Sequence, residues 1–325
     1  MGIHGLTKLI QSKSPESIET ISLYKLQGKK VAIDTSIFLY RSLTNIRKNG
    51  DYLKNKDGKI ISHIIGIINK TIQYLELGIT PIYIFDGKPP IEKKAVIDER
   101  NKKAQESKIL LENSDNKEDK LKYEKGTIRA KSHHFNDIKE LLNLMGVSYI
   151  DANGEAEVYA AELCRIGYVD YVVTDDLDAL PSGCPKMIRS CLDRSIKRSD
   201  VVSIIDLEKV LEGFNINMDS FIDMCILCGC DYCPSIPKVG IMRAFSHIQS
   251  YKTIEGLIES KKVSNIPSEF IDNYNKSRKL FKIFENKLDN IPINNSVINK
   301  NLLSEYFNNV CNFNDKKITK LLDKI

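Results

Sequence analysis

The stretch Tyr171-Val-Val-Thr-Asp-Asp-Leu-Asp-Ala-Leu180 decides the fold. Its first four residues are β-branched or aromatic, the composition of a short buried strand. Acids then crowd the carboxyl end: Asp175, Asp176 and, one apolar residue later, Asp178. Carboxylates so close together repel one another, and a folded chain needs a reason to keep them. A hard divalent cation, Mg²⁺ or Mn²⁺, is one such reason. A solvated acidic turn is the other, and this stretch alone leaves both open.

Two further strand-like runs end the same way. Lys29-Lys-Val-Ala-Ile-Asp34 closes on Asp34, and Ile79-Thr-Pro-Ile-Tyr-Ile-Phe-Asp86 closes on Asp86. Between them residues 60–77 carry apolar side chains at Ile60, Ile64, Ile67, Ile68, Ile72 and Leu75, the rhythm of an amphipathic helix. Strand, helix, strand predicts a βαβ unit in a parallel sheet, where sites form at the carboxyl ends of strands. Asp34, Asp86, Asp176 and Asp178 are thereby aimed at one crevice. A helix over 155–165, with a cap residue before it at Asn153-Gly154, adds Glu155 and Glu157. Residues two apart do not share a helix face, so both acids address one centre only if it lies off the helix N-terminus. So dense a cluster calls for cations of about +4 in total, and two carboxylate-held ions suit phosphodiester hydrolysis. No Ser or Cys nucleophile with a His partner stands in these motifs, which argues against covalent catalysis.

The 325 residues are 42% hydrophobic and 28% charged, with 48 basic against 43 acidic side chains. The net +5 is mild, so a polyanion-binding face depends on placement. Residues 88–131 hold 13 Lys/Arg and 9 Asp/Glu and few core-grade residues, as a helical insertion or a solvated excursion would. Lys93 and Arg100, seven apart, would share a helix face suited to a phosphate. No run of eighteen apolar residues exists and no signal-peptide layout opens the chain, so a soluble intracellular protein with no membrane partner is expected. Residues 186–189 and 201–205 read as further strands, and helices follow Asp206 to the end. In Cys225-x-x-Cys228-x-Cys230-x-x-Cys233 the helical spacing and apolar surroundings favour core packing over zinc. Pro234, Pro237 and Gly240 make a turn before a helix near Ile241, whose backbone N–H groups, with Lys238 and Arg243, suit DNA phosphates.

Taken together, Met1-Gly-Ile-His-Gly-Leu6, Val31-Ala-Ile-Asp34, Phe85-Asp-Gly-Lys-Pro-Pro90, Glu155-Ala-Glu157, Thr174-Asp-Asp-Leu-Asp178 and Gly229-Cys-Asp-Tyr232 resemble the flap endonuclease family of structure-specific 5′ nucleases, almost end to end. The resemblance implies an α/β fold: a central, mostly parallel twisted sheet flanked by helices, a helical arch and a helix-two-turn-helix element. It implies one nuclease domain, with an N-terminal region over 1–105, the arch over 91–132, an internal region over 133–250 (helix-two-turn-helix near 229–247) and a C-terminal helical region over 251–325. The implied metal ligands are Asp34, Asp86, Glu155, Glu157, Asp176, Asp178 and Asp231, for two Mg²⁺ that Mn²⁺ can replace. Lys93 and Arg100 match the basic catalytic pair of the gateway. Tyr40 matches the aromatic on which a base stacks, and Gly2 a residue beside the DNA junction. Lys125, Arg129, Lys238, Gly240 and Arg243 join them as DNA-binding residues, with K⁺ often held at the family's helical turn. The implied partner is branched DNA, a 5′ flap or a nicked or gapped duplex, cut by a monomer in the nucleus or another site of DNA replication. No Gln-x-x-hydrophobic-x-x-aromatic-aromatic motif follows the last predicted helix, so clamp tethering is not expected. The leading reading is 5′-flap cleavage and 5′-end trimming in replication and repair. Its rivals are a member specialised for recombination or gap and junction cleavage, and a junction-binding protein with weak catalysis. Retention of all seven acids counts against the last.

Overall fold

The computed structural model describes residues 2–48, 51–283 and 291–325 and divides into two compact units. One comprises the described residues of 1–33, 87–94 and 152–290; the other those of 34–86, 95–151 and 291–325. In chain order the strands are β1 (Ile18–Ser22), β2 (Lys30–Asp34), β3 (Arg47–Lys48), β4 (Asp51–Tyr52), β5 (Thr80–Phe85), β6 (Tyr149–Asp151), β7 (Tyr171–Val173), β8 (Lys186–Ser190), β9 (Val201–Asp206) and β10 (Ile293–Asn294). The helices are α1 (Leu6–Lys13), α2 (Thr35–Asn45), α3 (Ser62–Glu76), α4 (Lys94–Glu112), α5 (Lys117–Thr127), α6 (Ser132–Met145), α7 (Ala156–Arg165), α8 (Leu207–Phe214), α9 (Met218–Leu227), α10 (Ile241–Tyr251), α11 (Ile254–Glu259), α12 (Ser268–Phe281), α13 (Lys300–Asn309) and α14 (Asp315–Leu322).

In the first unit the strand order is β1-β9-β8-β7-β2. Strands β2, β7 and β8 run parallel, with Val31 against Tyr171 and Val172 against Met187, while β9 and β1 are antiparallel additions at the edge. The second unit orders β5-β6-β10, parallel then antiparallel. The parallel strands are those the sequence predicts from continuous apolar runs, and they are buried on both faces: Val31, Ala32 and Ile33 of β2, and Ile82 to Phe85 of β5. Helix α3 turns Ile64, Ile67, Ile68 and Ile72 inward, the predicted stripe. Helix α6 stops at Gly146, which takes the left-handed conformation (φ 67°) that a side chain resists.

Among the described residues six elements are absent from the sequence reading: α1, β1, α2, β3, β4 and β10, the last a two-residue strand in the stretch after Asp206 that the sequence predicts to be helical throughout. The first two are short, and β1 is an edge strand with one buried residue, Ile21. The predicted cap of α7 moves as well. Glu155, not Asn153, occupies the N-cap position, and its side chain makes no capping hydrogen bond. Among the described residues no helix is long and apolar enough to cross a membrane.

Helices α9, α11 and α12 are tied by Arg278. Its guanidinium donates to both oxygens of Asp223, at 2.5 and 2.6 Å, and to both of Glu255, at 2.6 and 2.7 Å. Asp223 is buried and also accepts from the Ile254 backbone N–H at 2.9 Å. Arg278→Leu should cost about 3 kcal/mol, the low end for breaking a buried pair because 25% of the arginine side chain meets solvent. The midpoint of urea unfolding measures it. Hydrogen bonds from Arg278, against some desolvation, hold the Glu255 carboxyl down to about 2. A depressed acid stabilises the fold above its ordinary value and loses that contribution as pH falls toward the depressed one. Stability from this pair should therefore fade between about pH 4 and pH 2, and Glu255→Gln should flatten that part of the stability curve.

Candidate metal centre

Strand β7 ends where its apolar residues end, and the chain turns at once into a short 3₁₀ segment, Leu177–Ala179. Asp176 caps that segment, its carboxylate accepting the Asp178 backbone N–H at 3.2 Å, while Asp176 N–H donates to Thr174 Oγ1 at 3.1 Å. Asp178 therefore points inward and is fully buried (0% exposed). Neither of its carboxylate oxygens has a hydrogen-bond partner. Burial and the neighbouring charges of Asp176 and Asp231 push its carboxyl well above the usual carboxylate range, and burial raises Asp176 likewise.

Helix α7 brings the other acids by its N-terminus, the one geometry that lets residues two apart share a centre. Glu155 stands at the N-cap and Glu157 one residue inside the helix. Ligand oxygens of Glu157, Asp176 and Asp178 lie within 4.8 Å of one another, close enough for one ion. Asp231 arrives from the turn after α9, closed by the reciprocal backbone hydrogen bonds of Cys230 and Cys233.

Lys93 enters the same cluster. It ends a 3₁₀ turn, Ile91–Lys93, ahead of α4, so it does not sit on the α4 helix with Arg100 as the seven-residue spacing predicts. Pro89 and Pro90 account for this: proline pre-organises a helix start and holds the chain extended before it. The Lys93 ammonium is hydrogen-bonded to Glu155 and lies 3.3 Å from Asp231 and 3.9 Å from Glu157. Burial works to lower its pKa, but Glu157, Glu155 and Asp231 outweigh it and raise it. Five buried carboxylates thus surround the Lys93 ammonium.

Gly2 closes on the cluster with φ +74°. A Cβ there would collide with an Asp176 oxygen and lie 2.9 Å from Asp178 Oδ1, so only glycine fits.

Asp34 ends β2, is buried and accepts the Ile37 N–H at the start of α2. Asp86 follows β5, is exposed and accepts a hydrogen bond from Ser36. Arg100 lies on α4, and its backbone carbonyl accepts from the Arg129 guanidinium. Tyr40 on α2 accepts the Ala130 N–H at 3.3 Å. Lys125 is exposed on α5. Lys238, Gly240 and Arg243 are exposed at the start of α10, where Arg243 donates to the Lys238 carbonyl at 2.7 Å. Cys225, Cys228 and Cys233 are buried, as core packing requires. Arg189 escaped the sequence reading. It lies on β8, donates to Thr7 Oγ1 at 2.8 Å and feels the Asp176 charge, an approach that only the parallel pairing of β7 and β8 creates.

The XPG N-terminal domain matches residues 1–107, and the XPG I-region matches residues 146–231. Flap endonuclease 1 of Glycine max is 39% identical over 336 residues, spanning 100% of this chain and 86% of that protein. The chain belongs to the flap endonuclease family. Flap endonuclease 1 of Glossina morsitans morsitans is 40% identical over 286 residues, 86% of this chain and 74% of its own. The solved structure of flap endonuclease-1 from Methanococcus jannaschii superposes with a TM-score of 0.70 at 31% identity, covering 94% of each chain. The catalytic core of Rad2 in complex with DNA substrate gives 0.73 at 21% identity with full coverage of both, a likeness of fold alone. This family member is a metal-dependent nuclease that hydrolyses DNA phosphodiester bonds.

The donor set fits hard cations: buried carboxylates, an excess of negative charge, and two orphaned oxygens on Asp178. Asp178→Asn should raise the melting temperature by a few degrees in EDTA, because it removes a buried and unsolvated charge. The same variant should lose the stabilisation that Mg²⁺ gives the wild type. Thermal melts with and without Mg²⁺ decide it; an unchanged Mg²⁺ shift would remove Asp178 from the centre.

Proposed function

We propose that this nuclease cuts 5′ flaps and trims 5′ ends of branched DNA in replication and repair, using two Mg²⁺ for which Mn²⁺ can substitute. The observation that carries the proposal is Asp178: a fully buried carboxylate with no hydrogen bond, among four other acids. The 39% identity to a protein named for flaps supports the flap over other branched structures. Human GEN1, crystallised with Holliday junction DNA, is 18% identical.

Glu155, Glu157, Asp176, Asp178 and Asp231 would hold the ions, with Asp34 and Asp86 assigned to them on the family resemblance. When bound, the ions supply activation of the attacking water and stabilisation of the leaving oxygen. Lys93 and Arg100 stabilise the negative charge that grows on the phosphate oxygens as the bond to the 5′ side breaks. Tyr40 stacks a base beside that bond, and Gly2 lets the junction approach. Lys125 and Arg129 contact DNA backbone, while Lys238, Gly240 and Arg243 form a helix start that takes duplex phosphates and a K⁺. The enzyme acts as a monomer.

Cleavage of a double-flap, a nicked duplex and a Holliday junction, first with Mg²⁺ and then with EDTA, tests the reading. The double-flap should be cut fastest and EDTA should stop all cleavage; faster cutting of the Holliday junction would replace flap processing with junction resolution. Arg100→Ala should slow single-turnover cleavage by about 10²–10³-fold with little change in DNA dissociation constant, because the cation acts on the transition state. Lys120→Ala, an exposed change on α5, should barely matter. Equal slowing by the two would reduce Arg100 to one member of a diffuse basic patch.

A further inference from the structure

We infer that Lys93 is a displaceable counter-ion of the metal centre, so that loading the full complement of divalent cations releases its ammonium for the substrate phosphate. The inference rests on the metal-centre reading and adds an order of events to it.

The geometry divides the five acids. Lys93 pairs with Glu155, with Asp231 at 3.3 Å and with Glu157 at 3.9 Å. On the other side, Glu157, Asp176 and Asp178 form a group whose ligand oxygens lie within 4.8 Å of one another, and both Asp178 oxygens lack a hydrogen bond. An ion at Asp176, Asp178 and Glu157 can bind beside the ammonium and gains the two Asp178 oxygens, which have no hydrogen-bond partner. An ion that draws on Glu155 Oε2 and Asp231 Oδ2 takes the oxygens that Lys93 holds. Ammonium and cation cannot both occupy them, so the second ion and Lys93 compete.

The backbone permits the exchange. Pro90 precedes the turn, and the Lys93 N–H bonds the Pro90 carbonyl at 3.1 Å, which fixes the main chain. Only the flexible four-carbon stem needs to move. The side chain is 13% exposed, so its head group has little room unless the carboxylates release it. Lys93 thus has two consecutive partners, carboxylates and then phosphate, and cation binding switches it between them. An arginine at this position would hold the acids in bidentate fashion and yield them less readily.

The test uses the full chain without DNA and Mn²⁺ as the probe, with free ion counted by its electron paramagnetic resonance signal. Wild type should bind one ion tightly and a second more weakly. Lys93→Ala should tighten the second about fivefold or more, a typical coupling between competing ligands, and the first by less, because only Glu157 of its three acids lies near the ammonium, at 3.9 Å. Lys93→Arg should weaken the second. A charge acting only through its field would leave Lys93→Arg like wild type, and that result overturns the inference. In wild type, modification of Lys93 by an amine-reactive reagent, followed by mass spectrometry, should quicken at saturating Mn²⁺. Unchanged reactivity overturns it as well, whether or not the alanine variant folds. If wild type binds no Mn²⁺, the metal-centre reading itself fails and takes this inference with it.

Discussion

Mutual repulsion among Glu155, Glu157, Asp176, Asp178 and Asp231 is the constraint on which the first unit is built. The most exposed of the five, Asp231, is 9% accessible, so water screens them poorly. Among the described residues the Lys93 ammonium stands against them, with the Arg189 guanidinium acting on Asp176. Such a cluster opposes folding, and it persists only because the elements that carry it are fixed for other reasons. β7 is locked between β2 and β8 by parallel pairing, α7 is buried along Ala160, Ala161 and Leu163, and α9 is almost entirely core. The apolar packing bears the cost, and the acids meet where it puts them.

Within the cluster the protein relieves the acids unequally. Glu155 and Glu157 sit at the N-terminus of α7, where free N–H groups and the helix dipole favour negative charge. Glu155 also has the lysine, and Asp176 has a backbone N–H. Asp178 has neither; the chain gives it position and no hydrogen bond. A carboxylate stabilised by protein donors gains little from a cation, whereas one without donors gains most. The gradient of relief, from Glu155 to Asp178, is therefore also a gradient of demand for metal.

The parts legible in the sequence were those where a local pattern and a tertiary role coincide. Strands β2, β5 and β7 announced themselves by continuous apolar runs closed by acids, and the restriction on Glu155 and Glu157 followed from helix geometry alone. Asp231 carried no such signal, because it sits in a turn and entered only by resemblance. Lys93 was misplaced: i, i+7 spacing assumes an unbroken helix, and the prolines at 89 and 90 begin with a 3₁₀ turn that sends the side chain into the acids. The Arg278, Asp223 and Glu255 network was invisible, since its members are 55 and 23 residues apart. Arg189 meets Thr7 across 182 residues, and periodicity says nothing about such contacts.

The four cysteines that look like a zinc motif have a better explanation in what lies beside them. Burial pushes the thiols of Cys228 and Cys233 up to about 12, and it raises Cys225 and Cys230, which also feel the Asp178 charge. All four are thus neutral thiols at physiological pH, small, apolar in packing and weak as hydrogen-bond donors. Serine in place of Cys225 or Cys230, the two that feel the Asp178 charge, would bring a stronger hydroxyl donor to that side of Asp178. A thiol wall keeps the dielectric low and the carboxylate unsatisfied, and in such surroundings the attraction of a divalent cation is strongest. Cys225 on α9 and Cys230 just after it thereby leave the Asp178 oxygens without a hydrogen bond, and a cation is what would satisfy that charge.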